Sequence, residues 1–260
     1  MLKQRIITGL SGLIIFLGIL FIMPQEVIKI SFGILFLIAG WEWSHLIKSK
    51  NVGIKYIFLI ILAGLMLFIN SLIVDTEIIK ILSYFSILCW SILFFSMFFY
   101  PLDIPNSLGW LIAIIVLSQG FIAINWIYKE SAIFLLVFLS LVWVMDVGAY
   151  FVGKYFGRIK LAKFISPNKT WEGLIGGLLA ITLLSIPLSK YLLINSFVFI
   201  SFSIAIGLLS VVGDLTFSML KRNANIKDSG NILPGHGGIL DRIDSILSSA
   251  PLFTLGLIFL

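Results

Sequence analysis

Long apolar runs separated by mostly short polar stretches make up nearly the whole chain. A membrane-spanning helix needs about 20 predominantly apolar residues. Runs of that kind occur at roughly 6–23, 27–47, 55–74, 81–100, 107–127, 132–152, 174–194, 197–217 and 239–260. The pattern predicts an all-α integral membrane protein with about nine transmembrane helices. Two connections, near 153–173 and 218–238, are long and polar. The first run follows Lys3-Gln4-Arg5 in the manner of a signal peptide. It is long, lacks a small-x-small cleavage pattern and ends in Pro24-Gln25-Glu26, so it reads as a retained helix.

Composition strengthens this picture. The 260 residues are 60% hydrophobic and 12% charged, against about 25% charged in an average soluble domain. The mean hydropathy is +1.14. One soluble core could not hide that much apolar surface, so the bilayer must take it up. The 23 Phe and 7 Trp suit the membrane interface. The single cysteine, Cys89, lies in an apolar run, which excludes an intrachain disulfide framework and a thiolate metal site. A net charge of +6 could point to nucleic acid, but there is no nucleic-acid motif and no basic soluble domain. Membrane lipids and anionic substrates are the expected partners, with no nucleic acid.

Charge placement tests the partition into helices. With a cytoplasmic N-terminus, only Lys29, Lys80, Lys129 and Lys190 of the 18 basic residues fall on the far side. Basic residues are retained in the cytoplasm, so nine helices with the N-terminus inside are self-consistent. The chain then divides into an N-terminal part, 1–130, of about five helices with terse loops, and a C-terminal part, 131–260, of about four helices. The long loops of the second part carry Lys154, Arg158, Lys160, Lys163, Lys169, Lys221, Arg222, Lys227 and Arg242. Chemistry is expected at the cytoplasmic face of this C-terminal half.

Acids stand where they are costly. Asp146, Asp214, Asp241 and Asp244 lie in or at the ends of apolar runs, and a charge at mid-depth costs about 2.5–3.5 kcal/mol. Asp241 and Asp244 share a helix face, and Asp214 and Ser218 are one turn apart. Such oxygen donors suit a hard divalent cation, with substrate phosphates filling further positions. Pairing with Lys221, Arg222 and Arg242 as interfacial salt bridges would also explain them. Glu42, between Trp41 and Trp43, is expected to anchor or pack.

The segment from Ser218 to Asp244 combines Lys221-Arg222, Lys227-Asp228, Pro234-Gly235-His236-Gly237-Gly238 and Asp241-Arg242-Ile243-Asp244. Glycines admit close backbone approach, the basic side chains oppose phosphate oxygens, and the acids can hold a bridging metal. In Ser166-Pro167-Asn168-Lys169-Thr170-Trp171-Glu172-Gly173, Ser at the N-cap and Pro at N1 predict a helix start there. Lys169 and Thr170 would then sit in a first turn suited to anions, although a capped helix alone would also account for the stretch. Gly148-Ala149-Tyr150-Phe151-Val152-Gly153-Lys154 falls short of a P-loop, because Tyr155 stands where Ser or Thr is needed. Gly173 and Gly177 form a G-x-x-x-G pair that fits tight helix packing.

From Ser218 to Asp244 the chain resembles the phosphatidate cytidylyltransferase family at every specified motif position. The stretch Asp146-Val147-Gly148-Ala149-Tyr150, Gly153-Lys154, Phe156-Gly157 and Ser166–Gly173 is similar to that family's second block. The resemblance covers about 145–245, and residues 1–130 match only as generic apolar helices. It implies transfer of CMP from CTP to phosphatidate, a divalent cation such as Mg²⁺, a homodimer, and a bacterial-type inner (plasma) membrane location. A further monovalent cation is left open.

On this resemblance Asp214 and Asp241 are expected to hold the metal, with Asp244 as a further ligand or supporting group. Lys221, Arg222, Lys227 and Arg242 are expected on the triphosphate or lipid phosphate, and Lys169 and Thr170 on a second phosphate cradle within a block that includes Ser166, Asn168 and Glu172. Asp228 would orient Lys227 or join the metal, His236 would donate to a phosphoryl oxygen, and Gly237 and Gly238 would admit the backbone. Two other readings compete: a lipid-alcohol kinase that uses CTP but releases CDP, and a transporter with intramembrane carboxylates. The complete motif argues against the first, and the gathering of polar residues at one face without an internal repeat argues against the second.

Overall fold

A computed structural model of the chain describes residues 2–47, 51–72, 75–232 and 237–259, apart from the side chains of 2–10, 13 and 70–72. Nine α-helices lie among these residues, one for each apolar run. They are α1 (Leu2–Ile22), α2 (Gln25–Leu46), α3 (Val52–Leu72), α4 (Thr76–Ser96), α5 (Asn106–Glu130), α6 (Ala132–Phe156), α7 (Trp171–Tyr191), α8 (Ser196–Asn223) and α9 (Leu240–Phe259). Among the described residues, α2 to α9 are long and apolar enough to cross a membrane. The chain is thus an all-α, multi-pass membrane protein. An antiparallel hairpin, β1 (Lys160–Ala162) with β2 (Ser166–Thr170), interrupts the helices.

Helices satisfy the demand of hydrocarbon that every backbone polar group be paired internally. Side chains close several of the open ends. The Asp75 carboxylate accepts from Glu77 N at 2.9 Å, the Ser131 hydroxyl from Ile133 N at 3.1 Å, and Asn195 Oδ1 from Phe197 N at 3.0 Å. Buried hydroxyls fold back on their own helix. Ser203 donates to Phe199 O, and Thr216 to Val212 O, each at 2.8 Å. Polar side chains can therefore line helix contacts without stranding a donor.

Two expectations about helix ends are corrected. Ser166 and Pro167 do not start a helix; they lie in β2, and α7 begins at Trp171 with Thr170 as its cap, accepting from Gly173 N at 3.1 Å. The Pro167 ring lacks an N–H, which an edge strand tolerates as readily as a first helical turn does. Lys169 and Thr170 consequently precede the helix instead of occupying its first turn. In addition, α8 continues to Asn223, so Ser218, Lys221 and Arg222 sit on a helix and not in a loop. Cations in the last turn complement the negative end of the helix dipole.

Small residues set the closest helix contacts. A Cβ on Gly173 would come within 2.8 Å of Ala149 O, and one on Gly177 within 2.7 Å of Met145 O. The Gly173/Gly177 pair therefore lets α7 lie directly on α6, as such pairs do in membranes. A Cβ on Gly213 would lie 2.5 Å from Asp244 O, so α8 and α9 touch where their acids lie. Ser248 adds an interhelical hydrogen bond, donating to Leu209 O at 2.7 Å. Helix α9 is the most buried of the spans and packs against α8, α5, α4, α6 and α2. Near its start the core is aromatic: Phe217 meets Trp43 edge-on with ring centroids 5.0 Å apart and also contacts Trp90. Through these contacts the last turns of α2, α6 and α8 and the first turns of α7 and α9 gather at one polar end of the bundle.

Candidate active site

Asp241 occupies the first turn of α9, and its two oxygens have separate partners. Oδ1 accepts from Lys221 Nζ at 2.6 Å, from the last turn of α8. Oδ2 accepts from the backbone N–H of Ser229 at 2.9 Å and of Gly238 at 3.1 Å. The two charged side chains are only 13% and 10% exposed, so water screens their attraction little. Gly237 turns the chain into Asp241 with φ +83°, a left-handed conformation suited to glycine. A Cβ there would lie 3.1 Å from Asp241 Oδ2.

About two turns before the cations of α8, Asp214 forms an ion pair with Lys169, which β2 delivers to the site. Ser218 donates to Asp214 Oδ1 at 3.3 Å, realising the expected one-turn pair. The close approach at Gly213 brings Asp244 of α9 within electrostatic reach of Asp214, Lys221 and Lys169. Asp146 of α6 feels Asp214, Lys169 and Arg242 and faces Ser245. Four carboxylates, of Asp146, Asp214, Asp241 and Asp244, and the ammonium groups of Lys169 and Lys221 are thereby linked across α6, β2, α8 and α9.

The remaining expected residues sort by position. Arg222 donates through Nε to Ile165 O at 3.4 Å and through Nη1 to Ile226 O at 3.2 Å, tying the hairpin and the following loop to α8. Glu172 accepts from Ile159 N with both oxygens, at 3.1 and 3.2 Å, and so clasps the base of the hairpin. Thr170 is buried as the α7 cap, Ser166 is partly buried, and Asn168 is exposed. Lys227 and Asp228 are exposed on the loop after α8, and a Cβ on Gly237 would lie 3.7 Å from Asp228 Cβ. His236 lies outside the described residues, as do Lys48 and Lys50 and the side chains of Lys3 and Arg5.

The donor chemistry fits a hard cation. Asp214 and Asp244 lie within electrostatic reach of one another, and Lys169 already places a positive charge on Asp214. Among the described residues no three His, Cys, Asp or Glu side chains are grouped closely enough to hold a metal by themselves. Magnesium commonly takes one or two carboxylates and completes its shell with substrate phosphates and water, which suits such a set.

Two residues at this end lie outside the set expected to touch substrate or metal. Asp146 was signalled by an acid within an apolar run. Glu42 is fully buried and reaches the loop before α9, accepting from Ser229 Oγ, Ile239 N and Leu240 N at 3.0, 3.0 and 2.8 Å. Its flanking tryptophans suggested packing, and nothing nearby in the chain pointed to those partners.

Comparison with known proteins places the whole chain in a family. Residues 3–260 match the model of the cytidylyltransferase family. A phosphatidate cytidylyltransferase of Haemophilus influenzae is 32% identical over 281 residues, covering 98% of each chain. One from Pseudomonas aeruginosa is 35% identical over 264 residues, with 97% and 96% covered, and one from Staphylococcus aureus is 33% identical over 267 residues, with 99% of each covered. The likeness takes in the N-terminal helices as well as the charged end of α8 and α9, and the chain belongs to the cytidylyltransferase family.

Proposed function

We propose that the chain is a phosphatidate cytidylyltransferase, transferring the CMP unit of CTP to phosphatidate to give CDP-diacylglycerol and pyrophosphate. The relatives that share its full length carry that name. The reaction takes place at the polar end of the bundle, on the cytoplasmic side of a bacterial plasma membrane. The excess of basic residues at that end and the cytosolic location of CTP support this orientation. Acyl chains stay in lipid while the headgroup meets the nucleotide.

A phosphate oxygen of phosphatidate attacks the α-phosphorus of CTP. The new P–O bond forms as the bond to the β-phosphate oxygen breaks, and pyrophosphate leaves with that electron pair. The lipid supplies the nucleophile, so no protein Ser or Cys attacks. A phosphate monoester carries about −1.5 to −2 charge at pH 7, and bringing it to a triphosphate is repulsive. The protein's work is alignment and neutralisation. Lys169 and Lys221 are cations held ready by Asp214 and Asp241. Arg222, Lys227 and Arg242 extend the positive surface, His236 donates to a phosphoryl oxygen, and Gly237 and Gly238 let the backbone approach. Asp214, Asp241 and Asp244 would hold Mg²⁺, which when bound would draw off phosphate charge.

The convergence of Lys169, Lys221 and the aspartates at one end of the bundle carries the reading. The test is product identity. Purified protein is given phosphatidate and CTP labelled at the α- or the γ-phosphate. Label from the α-phosphate should enter the lipid with release of pyrophosphate, and a chelator should stop it. Transfer of γ-label with release of CDP would mean a kinase instead.

A further inference from the structure

Glu42 belongs to α2, far along the chain from the charged ends of α8 and α9, yet its carboxylate is 0% exposed and aimed at them. Oε2 accepts from Ser229 Oγ at 3.0 Å and Leu240 N at 2.8 Å, and Oε1 accepts from Ile239 N at 3.0 Å. Two of these donors are backbone N–H groups at the start of α9, where a helix offers unpaired donors and favours a negative charge. The loop wraps the carboxylate closely. A Cβ on Gly230 would lie 2.5 Å from Glu42 Oε1, and one on Gly238 would strike Oε2 and Ser229 Oγ. The same two loop segments are gripped from the other side. Ser229 N and Gly238 N donate to Asp241 Oδ2. Ser229 thus gives its hydroxyl to Glu42 and its backbone N–H to Asp241. None of these three bonds involves Lys221 or Lys169, so Glu42 reaches them through the loop and the first N–H groups of α9.

We propose that Glu42 is a positioning residue: through Ser229 and the first N–H groups of α9 it holds Asp241, and with it Lys221, in the geometry that turnover requires. This rests on the reading that Asp241 and Lys221 form part of the active site. A carboxylate is suited to the task because all its partners are donors. A glutamine of the same size would turn its NH₂ group against at least one of them.

The experiment compares full-length Glu42→Gln, Ser229→Ala and the double variant with the parent enzyme in detergent. It measures kcat, KM for CTP and for phosphatidate, and the fraction of molecules that bind CTP. A brace that served only folding would lower yield or the binding-competent fraction and leave turnover per competent molecule unchanged. The positioning role predicts that kcat per CTP-binding molecule falls about tenfold or more in Glu42→Gln, short of the roughly 100-fold that a 1 Å misplacement can cost. Ser229→Ala should show a smaller fall of the same kind, and the double variant should lose less than the product of the two single losses. If Glu42→Gln does not fold, Ser229→Ala decides alone. Parental kcat per competent molecule in the variants that fold would overturn the proposal. Asp241→Asn is run alongside: an active Asp241→Asn enzyme would instead remove the active-site reading on which the proposal stands.

Discussion

Lys221 in the last turn of α8 donates to Asp241 in the first turn of α9 across 2.6 Å, with both side chains largely shut off from water. Removing one member leaves the other charged and buried, a change that costs about 3–5 kcal/mol. Lys221→Met and Asp241→Asn should therefore each lower the unfolding temperature in detergent. Combining the two replaces the pair with neutral groups and should restore much of the stability while activity stays lost. Calorimetry and CDP-lipid formation on the same preparations check this separation.

Lys169 and Asp214 are less enclosed, with side chains 25% and 30% exposed. A partly exposed ion pair contributes at most about 1 kcal/mol. Lys169→Gln should thus unfold close to the parental temperature. Its kcat/KM should nevertheless fall on the order of 100-fold, the scale expected when a group that stabilises developing phosphate charge is lost. Steady-state kinetics with CTP as the varied substrate provide the measurement.

Gly213 lets α9 approach α8 at Asp244. A methyl there would meet Asp244 O, and overpacking of this sort costs about 1–3 kcal/mol. Gly213→Ala should lower the unfolding temperature and weaken turnover together, because relieving the clash moves Asp244 away from Asp214. The remote Gly64, inside α3, where a Cβ would meet nothing within 4 Å, supplies the control: Gly64→Ala should leave turnover unchanged and should not lower the unfolding temperature.

Orientation is open to chemical labelling. The only cysteine is Cys89, so a Cys89→Ser background accepts single introduced cysteines. Lys163→Cys, in the hairpin turn that precedes α7, and Lys190→Cys, in the last turn of α7, place thiols at exposed positions at opposite ends of that helix. A membrane-impermeant reagent added outside intact cells should reach the second and not the first. The reverse pattern would place the polar end of the bundle outside the cell.

The sequence carried the helices because apolar runs long enough to span a bilayer leave little choice of structure, and each run matched one helix. Helix ends were harder to read. Lys221 and Arg222 are polar enough to suggest a loop, but on α8 they complement the helix dipole while reaching partners on other elements. Ser166-Pro167 fits a helix start and an edge strand equally well in local chemistry, and the pairing of β1 with β2 decided between them. The Asp214–Ser218 pair was legible because it is local to one helix. Glu42 was not, since its hydroxyl partner Ser229 is 187 residues away and only the packing of α2 beside α9 brings them together.

The most direct test of the proposed site is CDP-lipid synthesis by Asp214→Asn and Asp241→Asn enzymes that insert and purify like the parent. Labelled CTP and phosphatidate should give no detectable CDP-diacylglycerol with either variant, at any magnesium concentration that supports the parent enzyme. Parental turnover by either one would contradict the assignment of the carboxylates at the meeting of α8 and α9 to the reaction.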